Sequence, residues 1–458
     1  MSEPVVKTAP GAPGPLLALL KRLHFYVGLL VGPFLLVAAL SGVLYALTPQ
    51  LENQLYDQAL HTASRGPALS LATQVAAAQA AVGPTARVAA LRPAPNEGDT
   101  TRVMFNQPGL GASANRAIFI DPVTAQVRGD LPVYGTSGVL PLRTWIDQFH
   151  RGLLLGEVGR LYSELAASWL WVAALGGVAL WVAQRRRKAS ALRRWHATTG
   201  LWLLVGLLFF SATGLTWSQW AGGNIGVLRG WWGWSTPSVS TELGQPMTMN
   251  MPMDEHAQHH GMKMAALPVL TDLALFDQVL ASARAADIRS PKVEIAPPAA
   301  AGKAWTVTEI DRRWPTHVDA AAIDPGSLKV VSTVRFADYP LAAKLTRWGI
   351  DAHMGALFGV ANQVVLVVFA SGLAVMVVWG YVLWWRRRPI LVIGKTRPQG
   401  LVAACRALSP AQRIGVLAVA IALGLALPVL GGSLVLFVAW DALAGRTRSQ
   451  WAPIEERY

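Results

Sequence analysis

The chain has 458 residues, 53% of them hydrophobic and only 14% charged, with a mean hydropathy of +0.36. This excludes a wholly soluble protein and a disordered one, and implies several membrane spans with room for soluble domains. The net charge of +14 is not a nucleic-acid signature, because much of it sits in short runs beside apolar stretches: Arg185 to Lys188, Arg193-Arg194 and Arg386 to Arg388.

Crossing about 30 Å of hydrocarbon takes roughly 20 apolar residues. In chain order, 1–22 is a basic cytoplasmic N-terminus and 23–47 the first span. The apolar run after Lys21-Arg22 is too long for a cleavable signal and lacks an A-x-A-like end. Residues 48–150 face outward, and 163–184 is the second span. A basic cytoplasmic loop, 185–194, leads to the third span, 195–217. Residues 218–352 face outward, 357–385 is the fourth span, 386–411 is cytoplasmic, and 412–440 is the fifth span. Pro428 and Gly431-Gly432 in the fifth predict a kinked span, with a re-entrant hairpin as the alternative.

Both outward segments read as a small α+β unit, a helix followed by a meander. In the first, 69–83 is helical and strands are predicted at 86–92, 101–106 and 116–120. In the second (271–340), 271–287 is helical and strands are predicted at 292–296, 304–310, 317–323 and 328–335. Residues 221–268 are rich in Gly, Pro and Met and predict a loop.

The chain repeats itself. Gly28 and Ser41-Gly42 follow His24 at offsets 4, 17 and 18; Gly200 and Thr213-Gly214 follow His196 at the same offsets. After His150 stand Gly152, Gly156, Ser168 and Trp181; after His353, at identical offsets, stand Gly355, Gly359, Ser371 and Trp384. Ile120-Asp121-Pro122 and Ile323-Asp324-Pro325 precede His150 and His353 by equal distances. Two copies of one unit, helix, outer domain, helix, therefore run in the same direction, and a fifth helix is added.

The repeat turns four histidines into two pairs. His24 and His196 belong to the cytoplasmic side, His150 and His353 to the outer side. Ionisable groups are costly in lipid and mark function, and imidazole ligates haem iron. Two bis-histidine haems, one near each face, are the expected cofactors. Without a CxxCH motif the haem is not covalently attached, and the lone Cys405 forms no intramolecular disulfide. Gly28, Gly42, Gly200 and Gly214 let a flat macrocycle or a neighbouring helix approach. Arg22 and Arg194 are candidate propionate partners, or topology signals alone. His61 and His317 have no repeat partners and read as ordinary domain residues.

Residues 247–264 read MTMNMPMDEHAQHHGMKM. Thioether and imidazole together favour copper, and Met247, Met249, Met251, Met253, His256, His259, His260, Met262 and Met264 are the candidate ligands. A disordered linker is the alternative.

The stretches RLHFYVGLLVGPFLLVAALSGVLYAL, FHRGLLLGEVGRL, RRWHATTGLWLLVGLLFFSATGLTW and HMGALFGVANQVVLVVFASGLAVMVVWG resemble the PepSY-associated transmembrane helix family, over about residues 18–440. The resemblance implies an α-helical integral protein of the bacterial inner membrane, with a four-helix core, a fifth C-terminal helix and two periplasmic PepSY-like α+β domains. It implies haem b on the four histidines and reduction of a periplasmic ferric siderophore; the Met/His-rich loop leaves Cu(II) as the alternative metal. No Gly-rich dinucleotide motif is present, so a cytoplasmic or membrane electron donor is expected. The rival readings are a copper-handling membrane protein without redox turnover, and a haem-free scaffold whose PepSY-like domains bind a periplasmic partner.

Overall fold

A computed structural model describes residues 14–83, 85–111, 113–186, 188–243, 272–386 and 400–450. The helix α1 (Pro15–Tyr26) passes through a π-helical turn (Val27–Val31) into α2 (Gly32–Leu55), and a short α3 (Asp57–Leu60) follows. Next come α4 (Leu71–Val82) and four strands, β1 (Val88–Arg92), β2 (Thr101–Phe105), β3 (Ala114–Ile120) and β4 (Val127–Tyr134). Four helices follow: α5 (Pro141–Gly152), α6 (Gly156–Gln184), α7 (Ala191–Thr216) and α8 (Trp220–Trp231). The second half repeats the order with α9 (Ala274–Ala285), β5 (Val293–Ala296), β6 (Trp305–Glu309), β7 (Ala320–Ile323), β8 (Val330–Val334), α10 (Leu341–His353) and α11 (Val360–Arg386). The chain ends with α12 (Leu401–Arg406), α13 (Pro410–Ala426) and α14 (Pro428–Gln450).

Two compact units result, one of Met1–Val43, His150–Ile225 and Val367–Tyr458, the other of Leu44–Phe149 and Gly226–Leu366. In the first, Val31, Leu35, Trp169, Leu207, Leu373 and Phe437 pack into one core, while Trp202 on α7 is 82% exposed. Such an apolar exterior suits lipid rather than water. Among the described residues, four helices are long and apolar enough to cross a membrane: Pro15–Leu55, Gly156–Gln184, Ala191–Thr216 and Val360–Arg386.

The segment expected to be a kinked fifth span is instead two short helices that fold back on each other. Leu427 leaves the helical region (φ −124°, ψ 81°), and Pro428, lacking an N–H, opens α14. Gly424 and Gly431 let the two backbones touch: a Cβ on Gly431 would lie 2.7 Å from Gly424 Cα. Two carbonyls left open at the end of α13, Leu425 O and Ala426 O, accept from Asn224 Nδ2 at 3.2 and 3.0 Å. On the returning arm, Asp441 accepts from Tyr26 Oη at 2.5 Å and from Val402 N at 2.9 Å, tying α14 to α1 and α12.

A second expectation also changes. The beginning of the stretch 221–268 is helical, not loop, because α8 starts on a buried carboxylate. Glu164, fully buried on α6, accepts the N–H groups of Trp220 and Ala221, both at 3.0 Å. A carboxylate at a helix N-terminus satisfies orphan donors and complements the macrodipole.

In the second unit both α+β modules share one eight-stranded antiparallel sheet, in the order β4-β3-β2-β1-β5-β6-β7-β8. Expected as separate units, they join where Leu91 faces Ile295 and Arg92 pairs with Glu294 at 2.6 Å. One core runs through both modules, with Val75 and Val279 from the two helices packed on Leu91, Phe105, Ile118, Ile295, Trp305 and Ile323. Asp277 of α9 accepts from Leu71 N and Ala72 N at 2.8 and 2.9 Å, so one module's helix caps the other's. Both Ile-Asp-Pro repeats form hairpin turns. Asp121 Oδ1 accepts from Val123 N, Asp324 Oδ1 accepts from Gly326 N, and the residues closing the turns, Ala125 and Leu328, have φ of 58° and 56°.

Strand β4 was not expected from the sequence. Its Gly129 and Pro132 argue against a strand, yet it lies at the sheet edge, where a missing N–H is tolerated. Gly129 is required there, since a Cβ would lie 2.5 Å from Ala59 Cβ.

Candidate functional site

His24 sits in the last turn of α1, just before the π-helical turn. The turn has a local cause. Pro33 cannot donate to Leu29 O, and the hydroxyl of Tyr381 on α11 donates instead, at 2.6 Å. Single π-turns of this kind concentrate at functional positions.

The His24 ring faces α6, where a Cβ on Gly177 would lie 3.3 Å from its Cε1. His196, in the second turn of α7, faces α11 in the same way, with a Cβ on Gly380 lying 4.0 Å from its Cε1. The backbone at Ala173 faces the first ring and that at Met376 the second. The two imidazoles also lie close enough to feel each other's charge. Each Nδ1 is buried without a hydrogen-bond partner. Sequence reasoning missed Gly177 and Gly380, although both stand 27 residues after the histidine that opens their segment, His150 and His353.

His150 lies in the last turn of α5. Its Nδ1 is 2.8 Å from Ser41 Oγ, and Ser41 back-bonds to Val37 O at 2.7 Å. With the hydroxyl proton directed at Val37 O, Nδ1–H donates to Ser41, and Nε2 carries the lone pair that a metal would use. Tyr162 Oη donates to His150 O at 2.5 Å, and a Cβ on Gly42 would lie 3.5 Å from the ring. Thr213, the repeat counterpart of Ser41, makes the same back-bond, to Phe209 O at 2.7 Å.

His353 ends α10 in the second unit. Asp351, 1% exposed, pairs with Arg347 at 2.9 Å and Arg312 at 3.4 Å. Burial pushes this carboxyl up from its ordinary range, and the two guanidinium groups pull it back. Asn362 Nδ2 donates to Ala352 O at 2.8 Å, holding the turn beyond His353.

The remaining predicted residues divide. A Cβ on Gly28 would meet nothing within 4 Å, whereas one on Gly200 would touch Met376 Cε at 3.0 Å and one on Gly214 Ala167 Cβ at 3.1 Å. Arg22 is half-buried and Arg194 exposed, and neither makes an ion pair among the described residues. All nine Met/His residues of 247–264 lie outside the described residues. Among the described residues, no group of three or more His, Cys, Asp or Glu side chains is placed to hold a metal ion. A bis-histidine haem needs only two.

Residues 21–387 match the family described as the PepSY-associated TM region. The chain belongs to this family. The match takes in all four histidines, both α+β modules, three of the four long apolar helices and most of the first, and it ends before α12. No curated protein matches the sequence. Membership makes this PepSY-associated chain a membrane protein, in keeping with its four apolar helices.

Proposed function

We propose that the chain is a di-haem electron-transfer protein of the inner membrane that reduces a metal complex, a ferric siderophore or Cu(II), on the periplasmic side. The observation that carries this reading is the half-buried pair His24 and His196: repeat-equivalent imidazoles, each against a glycine of the next span, each with a buried Nδ1 that has no hydrogen-bond partner. Buried polar atoms are normally satisfied, so such a pair fits a ligand. The open side of Gly28 fits a flat group beside it.

Haem b supplies a one-electron couple when bound, and the protein's own part is to hold, orient and shield. His24 and His196 would hold one group on the cytoplasmic side, His150 and His353 a second on the outer side. The second pairing rests on the repeat in the sequence. Ser41 fixes the tautomer of His150, and the buried carboxylate of Asp351 stiffens the turn carrying His353. The core around Trp169 and Leu207 excludes water. Basic loops set the N-terminus in the cytoplasm and both α+β modules in the periplasm. An external donor supplies the electrons.

The test is a reduced-minus-oxidised spectrum of detergent-purified protein from haem-replete cells. Haem bands are expected; their absence would overturn the reading in favour of a scaffold role. His24→Ala and His353→Ala are each expected to remove about half of the haem, one of two bis-histidine sites. Loss of neither refutes the pairing.

The density of methionine and histidine in 247–264 supports a second role, copper capture. Deleting those residues is expected to abolish copper binding and leave the haem spectrum intact. Unchanged copper binding would refute it.

A further inference from the structure

Helix α8 carries an exposed apolar stripe. Trp220, Val227 and Trp231 stand at offsets 0, 7 and 11, one face of a helix, and all three are exposed, Trp231 at 79%. Gly223 shares that face, and a Cβ there would meet nothing within 4 Å. The other face is covered. Ala221 and Gly222 are buried, and Arg229 turns away from the stripe, its Nη2 donating to Trp234 O at 3.4 Å and Thr236 Oγ1 at 3.3 Å. Just past the helix, the rings of Trp232 and Trp234 pack 4.6 Å apart, and both are exposed.

Three neighbours fix the depth of α8. Its first N–H groups rest on Glu164, 20 residues from the end of α6 at Gln184. A Cβ on Gly222 would lie 2.9 Å from Thr216 O, so the chain turns sharply after α7, at a point 22 residues from Arg194. Asn224 holds Ala426 O at the tip of the α13–α14 hairpin, 16 residues from Pro410. At about 1.5 Å per residue these lengths are roughly 24–33 Å, close to the ~30 Å of hydrocarbon in a bilayer. Arg185, Arg194 and Arg413 mark the basic ends of the three elements, so α8 lies at the opposite boundary. Asn224, four residues after Trp220, is on the tryptophan side of the helix. The side of α8 that meets the hairpin is therefore the side that bears the stripe. The hairpin itself exposes Ile414, Leu417, Ile421 and Leu425, an apolar row that leads up to this contact.

We propose that α8 is an interfacial helix, lying in the membrane plane with Trp220, Val227 and Trp231 seated between the lipid headgroups and the acyl chains. An exposed apolar patch continuous with lipid-facing surface marks a membrane contact, and the amphipathic indole ring suits that boundary. The one cation of α8, Arg229, is on the covered face. The contact is thus made by apolar and aromatic area, and it does not depend on headgroup charge.

The experiment uses the full chain with its single cysteine removed (Cys405→Ser) and one copy per lipid nanodisc. An environment-sensitive NBD fluorophore is attached at Gly223→Cys or Val227→Cys, and at Gln278→Cys on the exposed side of α9 as control. Two quenchers are compared: phosphatidylcholine carrying a nitroxide near the headgroup end of its acyl chain, and aqueous iodide. Both α8 labels are expected to be quenched by the nitroxide lipid and to show a severalfold lower iodide quenching constant than the control. Adding phosphatidylglycerol is expected to change neither value. Replacing Trp231 and Trp234 by Ser is expected to raise iodide quenching at position 223. Iodide quenching equal to the control, without nitroxide quenching, places α8 in water and overturns the proposal. Shielding from both quenchers means that protein covers the stripe and overturns it too. Nitroxide quenching that appears only with phosphatidylglycerol refutes a contact independent of charge. None of these readouts requires haem or substrate.

Discussion

Asp121 shows how a motif visible in the sequence acquires a physical role only in the fold. The Ile-Asp-Pro repeat was legible as a repeat but not as a turn, because the partners of the carboxylate lie far back in the chain. Burial disfavours its charge, but Thr62, Ser64 and the backbone of Val123 and Thr124 donate to it and bring it to about 2 from 3.8. A depressed carboxyl stabilises the fold above its unfolded value and loses that contribution as pH falls toward the folded one. The contribution is about 2 kcal/mol, lost between about pH 4 and pH 2. Asp121→Asn is therefore expected to lower the melting temperature at pH 7 and to flatten its fall in acid. Parallel melting curves for the two proteins would contradict this. The histidines were legible because polar groups stand out in apolar sequence, whereas the Ser41–His150 contact, 109 residues apart, depends on helix packing.

Helices and strands were legible where one period ran unbroken. The four long helices came from hydropathy, and seven strands came from alternation. The arms of the C-terminal hairpin, α13 and α14, are equally apolar, so hydropathy could not show the fold-back between them, and the choice fell to Gly424 against Gly431. The π-turn was also hidden, since its cause is split between Pro33 and Tyr381 on another helix. Tyr381→Phe would leave Leu29 O without its donor and is expected to cost about 1–3 kcal/mol. A lower melting temperature in detergent is the expected result; an unchanged one means that the carbonyl finds another donor.

The hairpin also bears on the proposed membrane topology. On that topology, four crossings return the chain to the side it started from, and a fold-back adds no fifth. A reporter fused after α14 is expected to be active only as a cytoplasmic one, a fluorescent protein rather than alkaline phosphatase. Alkaline phosphatase activity there would mean that residues 410–450 cross after all. The junction of β1 with β5 has a consequence in time. The residues that seal it, Arg92 and Glu294, are 202 positions apart. Ribosomes add about 5–20 residues per second, so the first module is synthesised roughly 10–40 s before its partner. Through that interval β1 is a bare sheet edge with an apolar face, open to pairing with the wrong strand. The duplicated protein therefore depends, during its own synthesis, on whatever shields that edge until β5 arrives.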